Sequence, residues 1–232
     1  MDISADELSL DDLQNGYYIY QLKDSFRFGA DAVLLSDFAD IKPGQSVIDL
    51  GTGTGIIPIL LAAKTKGKHF TGIDIQERII SAANMSVKYN GLEDRVTMLQ
   101  ADIKEAAELF GPASFDAVVS NPPYMAGNDG KHSANPEKAI ARHEVACTLA
   151  DVVQCAAALV RPGGSFFMIH RPYRLAEIIN VLISYKLEPK RLRFIYPYVD
   201  KEPSMVCIEA ARGGRSGLTV EKPYIMYQRK DA

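Results

Sequence analysis

Residues that form cross-links or bind metals are scarce in this chain. Its 232 residues include no tryptophan, three cysteines and four histidines. Cys147, Cys155 and Cys207 are odd in number and form no CxxC pair, so we interpret them as reduced, mostly buried thiols. The histidines are scattered and form no HExxH pattern, and the sequence therefore predicts no metal site.

Long apolar runs are also missing. No window reaches the ~18 uninterrupted apolar residues that are typical of a membrane helix. The first residues, MDISADELSLDDLQNG, are acidic and contain no apolar segment of the kind found in secretory signal peptides. We therefore expect a cytoplasmic protein with no membrane partner.

The chain as a whole lacks the excess of positive charge that is typical of nucleic-acid-binding proteins. Its net charge is −3. The charge is uneven, however, because residues 161–232 hold 13 Lys and Arg against 7 Asp and Glu. Such asymmetry allows a basic face on an acidic protein, although chance variation of surface charge explains it almost equally well.

Apolar residues are plentiful, at 47% of the chain, and they form strand-like and helix-like segments that alternate from about residue 45. Five strands, each followed by a helix or by a loop and a helix, predict an α/β domain with a parallel sheet. The last two strands have no helix between them, so we expect them to form an antiparallel hairpin at the sheet edge. The predicted strands are 46–50, 69–75, 95–102, 115–120, 165–170, 191–199 and 204–212, and the predicted helices are 55–65, 76–92, 148–160 and 174–186, with a short one ending near Phe110.

Three regions follow from this pattern. Residues 45–212 are expected to form the main domain. Residues 1–44 are interpreted as an N-terminal lead-in packed on the core, with a short strand and a helix over 31–39 that is capped by Asp31. Residues 213–232 form a polar tail with a late aromatic cluster.

One segment interrupts the alternation. Residues 125–142 contain few large apolar side chains and match neither a strand nor a helix. A loop this long in a compact domain is usually either functional or disordered.

A glycine-rich turn follows the first strand of the main domain. The segment VIDLGTGTGIIPILLA (47–62) places Asp49 before a Gly-x-Gly-x-Gly pattern and a helix. Glycines permit a tight turn and a close approach of the backbone to a ligand. Phosphates bind at helix N-termini, and an acid before the turn disfavours them and favours a cationic or donor group such as a methionine-type amine. The predicted cofactor-binding residues here are Asp49, Gly51, Thr52, Gly53, Thr54 and Gly55.

Acids also end the next two strands. A carboxylate at Asp74 suits a ribose with both hydroxyls free, because it can accept from two O–H donors. Asp102 is placed to accept from an adenine amino group. The carboxyl ends of parallel strands meet in one crevice, so we predict a single site that also includes Ile75 and Ile103. This combination resembles the S-adenosylmethionine site of class I methyltransferases; the plainer alternative is a generic glycine turn with surface acids.

The segment SNPPYM (120–125) follows the fourth strand at the same edge. Two prolines can simply end a strand. The Asn121 side-chain oxygen and the Pro122 carbonyl can, however, accept from the N–H bonds of an amide or exocyclic nitrogen, which becomes positive as a methyl group arrives. Pro122 and Pro123 would stiffen the loop, and Tyr124 would offer a ring face to a flat substrate. We predict Asn121, Pro122, Pro123 and Tyr124 as catalytic, with Asn121 also at the cofactor and Tyr124 also at the substrate.

These motifs resemble those of amino-methyltransferases that carry an [N/D/S]PP[Y/F/W] segment. From Phe26 to Arg212, the chain further resembles the bacterial family of tRNA1(Val) adenine-N6 methyltransferases. The resemblance rests on FRFGADAVLLSDFA (26–39), VIDLGTGTGIIPILLA (47–62), GIDIQ (72–76), NPPY (121–124), ARHE (141–144) and HRPYRLAEII (170–179).

The resemblance implies a class I (Rossmann-like) methyltransferase fold, with a seven-stranded, mostly parallel sheet and helices on both faces. It implies S-adenosyl-L-methionine as cofactor and an adenine of tRNA, beside the anticodon, as substrate. It also implies that Phe28 lies near the donor or the target base, and that Arg142, Arg171 and Arg174 contact RNA phosphates. Core packing of Phe28 and ordinary surface or helix-terminal charge at the arginines are the alternatives.

Other functions remain open at this stage. Release-factor glutamine methyltransferases also carry NPPY, but they usually have a larger helical N-terminal domain than 44 residues allow. Ribosomal RNA guanine-N2 methyltransferases have a similar motif. A non-catalytic module that only binds the donor is the alternative of a different class, and the intact glycine turn and NPPY segment argue against it.

Overall fold

The computed structural model describes residues 3–24, 29–122 and 147–227. The strands and α-helices of this part, in chain order, are β1 (Leu8–Asp12), β2 (Tyr18–Leu22), α1 (Ala30–Phe38), β3 (Ser46–Leu50), α2 (Ile56–Lys64), β4 (His69–Asp74), α3 (Glu77–Tyr89), β5 (Val96–Gln100), α4 (Ala106–Phe110), β6 (Phe115–Ser120), α5 (Leu149–Leu159), β7 (Val160–His170), α6 (Leu175–Ser184), β8 (Leu187–Tyr196), β9 (Met205–Arg212), β10 (Thr219–Val220) and β11 (Tyr224–Ile225). The strands predicted at 46–50 and 115–120 coincide with β3 and β6. None of the helices within these ranges is long and apolar enough to cross a membrane.

The central sheet has the strand order β5-β4-β3-β6-β7-β9-β8, and β10 and β11 both pair with β8. Strands β5, β4, β3, β6 and β7 are parallel, whereas β9 is antiparallel to both β7 and β8. The predicted α/β fold, with seven main strands and a C-terminal antiparallel hairpin, is therefore confirmed. The tail adds two short strands that the sequence pattern does not predict.

Helices cover both faces of this sheet, as predicted. One face packs against α1, α2 and α3, with Leu35, Ile59 and Phe167 fully buried there. The other face packs against α4, α5 and α6 and buries residues such as Val153 and Ile178. Because both faces are covered, the strand interiors are apolar on both sides, and a buried acid in such a strand is an exception that requires an explanation.

The N-terminal region contains a second strand where one is predicted. Strands β1 and β2 form an antiparallel hairpin that is separate from the main sheet. The Tyr89 ring of α3 contacts the Tyr18 and Tyr20 rings edge-on, with centroids 5.5 and 5.7 Å apart. The hairpin therefore packs on the outer face of α3.

The prediction that Asp31 caps α1 is wrong. Gly29 is the N-cap residue, and α1 begins at Ala30. Asp31 lies inside the first turn, where its carboxylate accepts a hydrogen bond from the Ala32 N–H at 2.9 Å. Its side chain is therefore placed at the start of the helix, beside the edge of the sheet described next.

Candidate functional site

The strand order reverses at β3, which pairs with β4 on one side and with β6 on the other. Ligands of open α/β sheets bind at such a switch point, beyond the carboxyl ends of the strands. A cavity of about 130 Å³ lies at this point. Its lining includes the glycine turn over 51–54, Gly29 and Asp31 at the start of α1, and Asn121 after β6. The structure thus brings the predicted glycine turn and Asn121 together.

The turn after β3 has the backbone conformation that glycine favours. Gly51, Gly53 and Gly55 have φ values of 72°, 54° and 82°. A Cβ at Gly55, the N-cap of α2, would collide with the Met98 side chain, whereas a Cβ at Gly53 would have no heavy atom within 4 Å. Gly55 is therefore required for packing, and Gly53 leaves open space beside the cavity.

Asp49 is a buried acid in the middle of the sheet, with 1% of its surface exposed. Neither of its carboxyl oxygens, nor the buried Thr52 hydroxyl, has a hydrogen-bond partner within the described ranges. Burial raises the pKa of Asp49 to about 7; Thr52 lowers this pKa and the Asp74 charge raises it. Although Thr52 lowers the pKa of Asp49, no hydrogen bond of normal geometry joins the Thr52 hydroxyl to the Asp49 carboxyl. The Asp49 oxygens therefore still lack a donor. Buried polar groups without partners are costly, so the arrangement fits a ligand that donates hydrogen bonds.

The acids after β4 and β5 are held by backbone N–H groups. Asp74 accepts from the Gly53 N–H at 3.1 Å and from the Gln76 N–H at 3.0 Å. Asp102 accepts from the Lys104 N–H at 2.9 Å. A carboxylate oxygen has a second lone pair, so both acids are oriented and can still accept from hydroxyl or amino groups.

Apolar side chains stand beside these acids. Ile75, which follows Asp74, is 45% exposed. The Ile103 Cδ1 atom lies 3.9 Å from the place where a Cβ on Gly51 would be. An apolar ring could therefore lie against isoleucine side chains while its polar edge meets the acids.

The end of β6 is fixed next to the end of β3. The buried Ser120 hydroxyl donates to the Leu50 carbonyl at 2.9 Å, which locks the two strand ends together. Asn121 follows directly and lines the cavity, and Pro122 is buried. Pro123, Tyr124, Arg142 and Phe28 lie outside the described residues, so the roles expected for them stay predictions.

The two described arginines after β7 differ in environment. Arg174 is buried and forms a two-point contact with Glu177, at 2.8 Å from Nε to Oε2 and 2.6 Å from Nη2 to Oε1. Its Nη1 also lies 3.4 Å from Nε2 of His170, and burial and the Arg174 charge lower the pKa of His170 to about 4. Arg171 is only half-buried and donates to the Ser204 carbonyl at 3.0 Å.

Asp31 belongs to the candidate site although the sequence pattern does not single it out, because an acid at the start of a helix is interpreted as a cap. In the structure it lines the cavity together with the glycine turn. The segment FRFGADAVLLSDFA (26–39) carries part of the family resemblance, and that was the signal that could have assigned its acid to the site.

A larger depression, of about 450 Å³, lies elsewhere, at the carboxyl ends of α1 and α2 and beside Arg191. Neither Asp49 nor Thr52 borders it, and the glycine turn is at the opposite end of α2. The smaller cavity is therefore the candidate site, since it alone of the two is lined by Thr52, one of the buried polar groups without partners. Among the described residues, no cluster of His, Cys, Asp or Glu side chains is arranged to hold a metal ion.

Comparisons with known proteins agree with this geometry. A curated relative, the tRNA1(Val) (adenine(37)-N6)-methyltransferase of Porphyromonas gingivalis, is 29% identical over 191 residues, which are 80% of this chain and 74% of the relative. The solved structure of a predicted O-methyltransferase from Agrobacterium tumefaciens has a TM-score of 0.71 at 23% identity, over 87% of this chain and 89% of that one. A geranyl diphosphate methyltransferase in complex with SAM has a TM-score of 0.59 at 15% identity, over 79% of this chain and 84% of that one. The family described as "Methyltransferase domain" matches residues 41–192, which is more than half of the chain, so this protein belongs to that family.

Proposed function

We propose that this methyltransferase transfers a methyl group from S-adenosyl-L-methionine to the exocyclic N6 of an adenine in tRNA. The observation that carries the proposal is that Asn121 lines the same cavity as the glycine turn. An acceptor for the hydrogens of an amino group therefore stands beside the donor site. The name of the Porphyromonas gingivalis relative supports tRNA as the substrate and the adenine beside the anticodon of tRNA1(Val) as the target.

The methionine end of the donor fits the buried groups without partners. Its ammonium would donate to the Asp49 carboxylate, and its polar end would also meet the Thr52 hydroxyl, while Asp31 adds a second acid to the cavity. Pairing with a cation favours the charged form of a buried acid, so Asp49 would bind as a carboxylate.

The nucleoside end of the donor fits the neighbouring residues. The ribose hydroxyls would donate to Asp74 and the adenine amino group to Asp102, with Ile75 and Ile103 against the ring. When bound, S-adenosyl-L-methionine supplies an electrophilic methyl group on a sulfonium.

At the target nitrogen, the chain has to stabilise a developing positive charge. The N6 lone pair is delocalised into the adenine ring, so the nitrogen becomes pyramidal and cationic as the methyl group arrives. The Asn121 side-chain oxygen and the Pro122 carbonyl would accept from its two N–H bonds, and Tyr124 would stack on the ring, while Pro123 helps to fix the loop. By analogy with oxyanion holes, each preorganised dipole of this kind contributes roughly 3 kcal/mol. No strong base is needed at transfer, because the proton leaves the cationic product afterwards.

RNA phosphates would be contacted by the arginines at this edge. Arg171 supports this role best among the described ones, because it is only half-buried, whereas Arg174 would first have to leave Glu177. We extend the same role to Arg142.

Residues 45–212 would form the catalytic domain, with 1–44 and 213–232 attached to it. A tRNA substrate would place the reaction in the cytoplasm.

The substrate class is tested by offering the protein several substrates separately. Labelled donor is incubated with total tRNA, with ribosomal RNA and with a release factor, and the modified residue is identified by mass spectrometry. N6-methyladenosine in tRNA is the expected product. Label only in a release-factor glutamine, or only as N2-methylguanosine in ribosomal RNA, would contradict the proposal, and donor binding without any transfer would point to a non-catalytic module.

A further inference from the structure

Three exposed tyrosines lie just after strands on the Asn121 side of the sheet. Tyr173 follows β7 and is 69% exposed, Tyr198 follows β8 and is 36% exposed, and Tyr227 follows β11 and is 52% exposed. Val199, beside Tyr198, is 79% exposed. We name these four residues the tyrosine ledge. Exposed apolar side chains that gather in one region are a usual mark of a binding surface.

Strand register places the tyrosine ledge at the same edge as Asn121. The last residues of β6 and β7 are neighbours, and β9 begins where β7 ends. The end of β8 lies beside the start of β9, and β11 pairs with the end of β8. The residue pairs that show this are Ser120–Met168, His170–Val206, Ile195–Met205 and Ile195–Tyr224. Four strand spacings separate β6 from β11, which is about 20 Å. The tyrosine ledge thus extends away from the target site along one edge.

Contacts between the three segments hold the tyrosine ledge together. The Arg171 guanidinium, next to the Tyr173 loop, donates to the Ser204 carbonyl at 3.0 Å. The Tyr227 N–H donates to the Pro197 carbonyl at 3.0 Å, and the Tyr198 and Tyr227 rings are 5.5 Å apart. The tail is further held on β8 because Arg191 and Arg193 both pair with Glu221, at 2.9 and 2.5 Å. A surface that is fixed in this way loses little entropy on binding.

The charges around the tyrosine ledge are mixed. Lys201 is flanked in sequence by Asp200 and Glu202, and all three are exposed. A surface that bound RNA mainly through phosphates would be strongly positive. This one instead offers aromatic faces, with Arg171 two residues before Tyr173 in the segment after β7. Stacking of bases on aromatic side chains tolerates any base sequence, because every base has a π face.

The proposed function requires an RNA loop at Asn121, and on that basis we propose that the tyrosine ledge is a stacking platform for the unpaired nucleotides that flank the target adenine. Bases of RNA loops are commonly splayed out and stacked on aromatic side chains. The far end of the tyrosine ledge is about 20 Å from β6, which is beyond the reach of one nucleotide, so the tyrosine ledge holds the loop while the target adenine enters the site. The partner surface is therefore single-stranded RNA.

The test uses an RNA hairpin with the anticodon stem and loop of tRNA1(Val), in which 2-aminopurine replaces a nucleotide next to the target adenine. The full chain with Tyr173, Tyr198 and Tyr227 all changed to Leu is compared with the same triple change to Phe. Tyr89→Leu is the matched control, because Tyr89 is also 52% exposed but lies on α3, away from this edge. Thermal unfolding and donor affinity are measured for each variant.

The triple Leu variant is expected to bind the hairpin about 100-fold more weakly and to lose the quenching of 2-aminopurine. The salt dependence of its affinity for the hairpin is expected to stay unchanged, since no phosphate contact is removed. The triple Phe variant and Tyr89→Leu are expected to bind within about twofold of the unchanged protein, because they keep the rings of the tyrosine ledge. If the triple Leu variant unfolds, Tyr173→Leu alone is expected to weaken binding about tenfold.

Unchanged hairpin affinity in a folded Leu variant would overturn the stacking platform, and so would an equal loss in the Phe variant, because hydroxyl groups rather than rings would then be responsible. Binding of a release factor that depends on these rings would show a protein-docking surface instead. The two proposals fail separately. If the unchanged protein methylates no RNA, the proposed function fails; if it methylates tRNA and the Leu variants match it, only the stacking platform fails.

Discussion

The proposed site has two halves, which we call the donor half and the substrate half after their proposed ligands, and they differ in construction. Around β3 and β4, the donor half consists of left-handed glycines, the buried Asp49 and the backbone-held Asp74. From β6 to β11, the substrate half presents side chains from loops, such as Arg171 and Tyr198. Few other residues satisfy the backbone and burial constraints of the donor half, whereas many surface residues fit a loop. Single substitutions in the donor half should therefore cause large losses of donor affinity or stability. Single substitutions in the substrate half should cause smaller losses of RNA affinity, except at Asn121.

Asn121→Ala has the largest expected effect, because Asn121 lies where the two halves meet. Removing one preorganised acceptor is expected to slow methyl transfer about 10²- to 10³-fold, by analogy with the loss of an oxyanion-hole donor. Donor affinity should remain nearly unchanged. Single-turnover methylation and donor titration measure the two quantities. Asn84→Ala, at an exposed asparagine of α3, is the control; a loss of donor binding in Asn121→Ala would mean that Asn121 has a structural role.

Asp49→Asn is expected to weaken donor binding about 10- to 100-fold, because hydrogen bonds to charged groups contribute about 1.5–3 kcal/mol. The amide keeps the shape of the side chain but cannot pair with an ammonium. Calorimetric titration with the donor measures the change. The pH dependence gives the control: in the unchanged protein, donor affinity should fall below pH 7 as Asp49 becomes protonated, whereas Asp49→Asn should lack this dependence. An equal pH dependence in both proteins would contradict the role of Asp49.

The same raised pKa makes a prediction about stability in the absence of donor. The folded pKa of about 7 exceeds the ordinary pKa of 3.8, so the folded state holds the extra proton between these values. The free energy of unfolding should therefore be highest below about pH 4 for this group and should decrease as the pH rises through 7, by about 4 kcal/mol at most. Denaturant unfolding from pH 4 to 8 should show this decrease against Asp49→Asn, in which the contribution is missing; Asp74 and Asp31 are unchanged in both. Parallel pH profiles of stability in the unchanged protein and in Asp49→Asn would contradict this contribution of Asp49.

Alanine substitutions at two glycines of the same turn should affect different properties, stability at Gly55 and donor binding at Gly53. Gly55→Ala should lower the free energy of unfolding by about 2 kcal/mol or more, because its Cβ meets Met98 in a left-handed conformation. Gly53→Ala has the same backbone strain but open space, so it should cost about 1 kcal/mol and act mainly on donor affinity. Denaturant unfolding and donor titration of both variants test this difference. Equal stability losses would show that crowding at Met98 is unimportant.

The smallest expected effects distinguish the two arginines of the substrate half. Arg171→Gln should reduce the slope of log affinity for tRNA against log salt concentration by about one, as for one lost phosphate contact. Arg174→Gln should leave the slope unchanged and should instead lower the melting temperature, because it removes the buried guanidinium that pairs with Glu177. Filter binding over a range of salt concentrations measures the slopes. The reverse assignment would identify Arg174 as the phosphate contact.

The donor half could largely be predicted because its constraints are local. A glycine triplet after a short apolar run, with acids at the ends of successive strands, permits few arrangements, and β3 coincides with its predicted range. The lack of hydrogen-bond partners at the Asp49 oxygens could not be predicted, because the burial of Asp49 depends on how α1 and α2 cover the sheet. Asp31 was misinterpreted for a similar reason: only tertiary packing places the first turn of α1 at the cavity.

The substrate half was less predictable because its elements depend on distant partners. Strands β10 and β11 have two residues each, too few to give a period, and they form only because β8 offers a free edge. The N-terminal hairpin likewise depends on packing against α3. Arg174 reads as a surface charge in the sequence, yet the fold buries it beside His170.

The most direct test of the central claim, that an adenine amino group meets the donor at Asn121, is methylation of a defined RNA. An unmodified tRNA1(Val) transcript is compared with the same transcript in which adenine 37, the target in the relative's name, is replaced by guanine. After reaction with donor, nucleosides are identified by mass spectrometry. We expect about one N6-methyladenosine per adenine-containing transcript and none in the replaced one. N6-methyladenosine in both transcripts, a methyl group on another base, or no transfer to either would contradict the account.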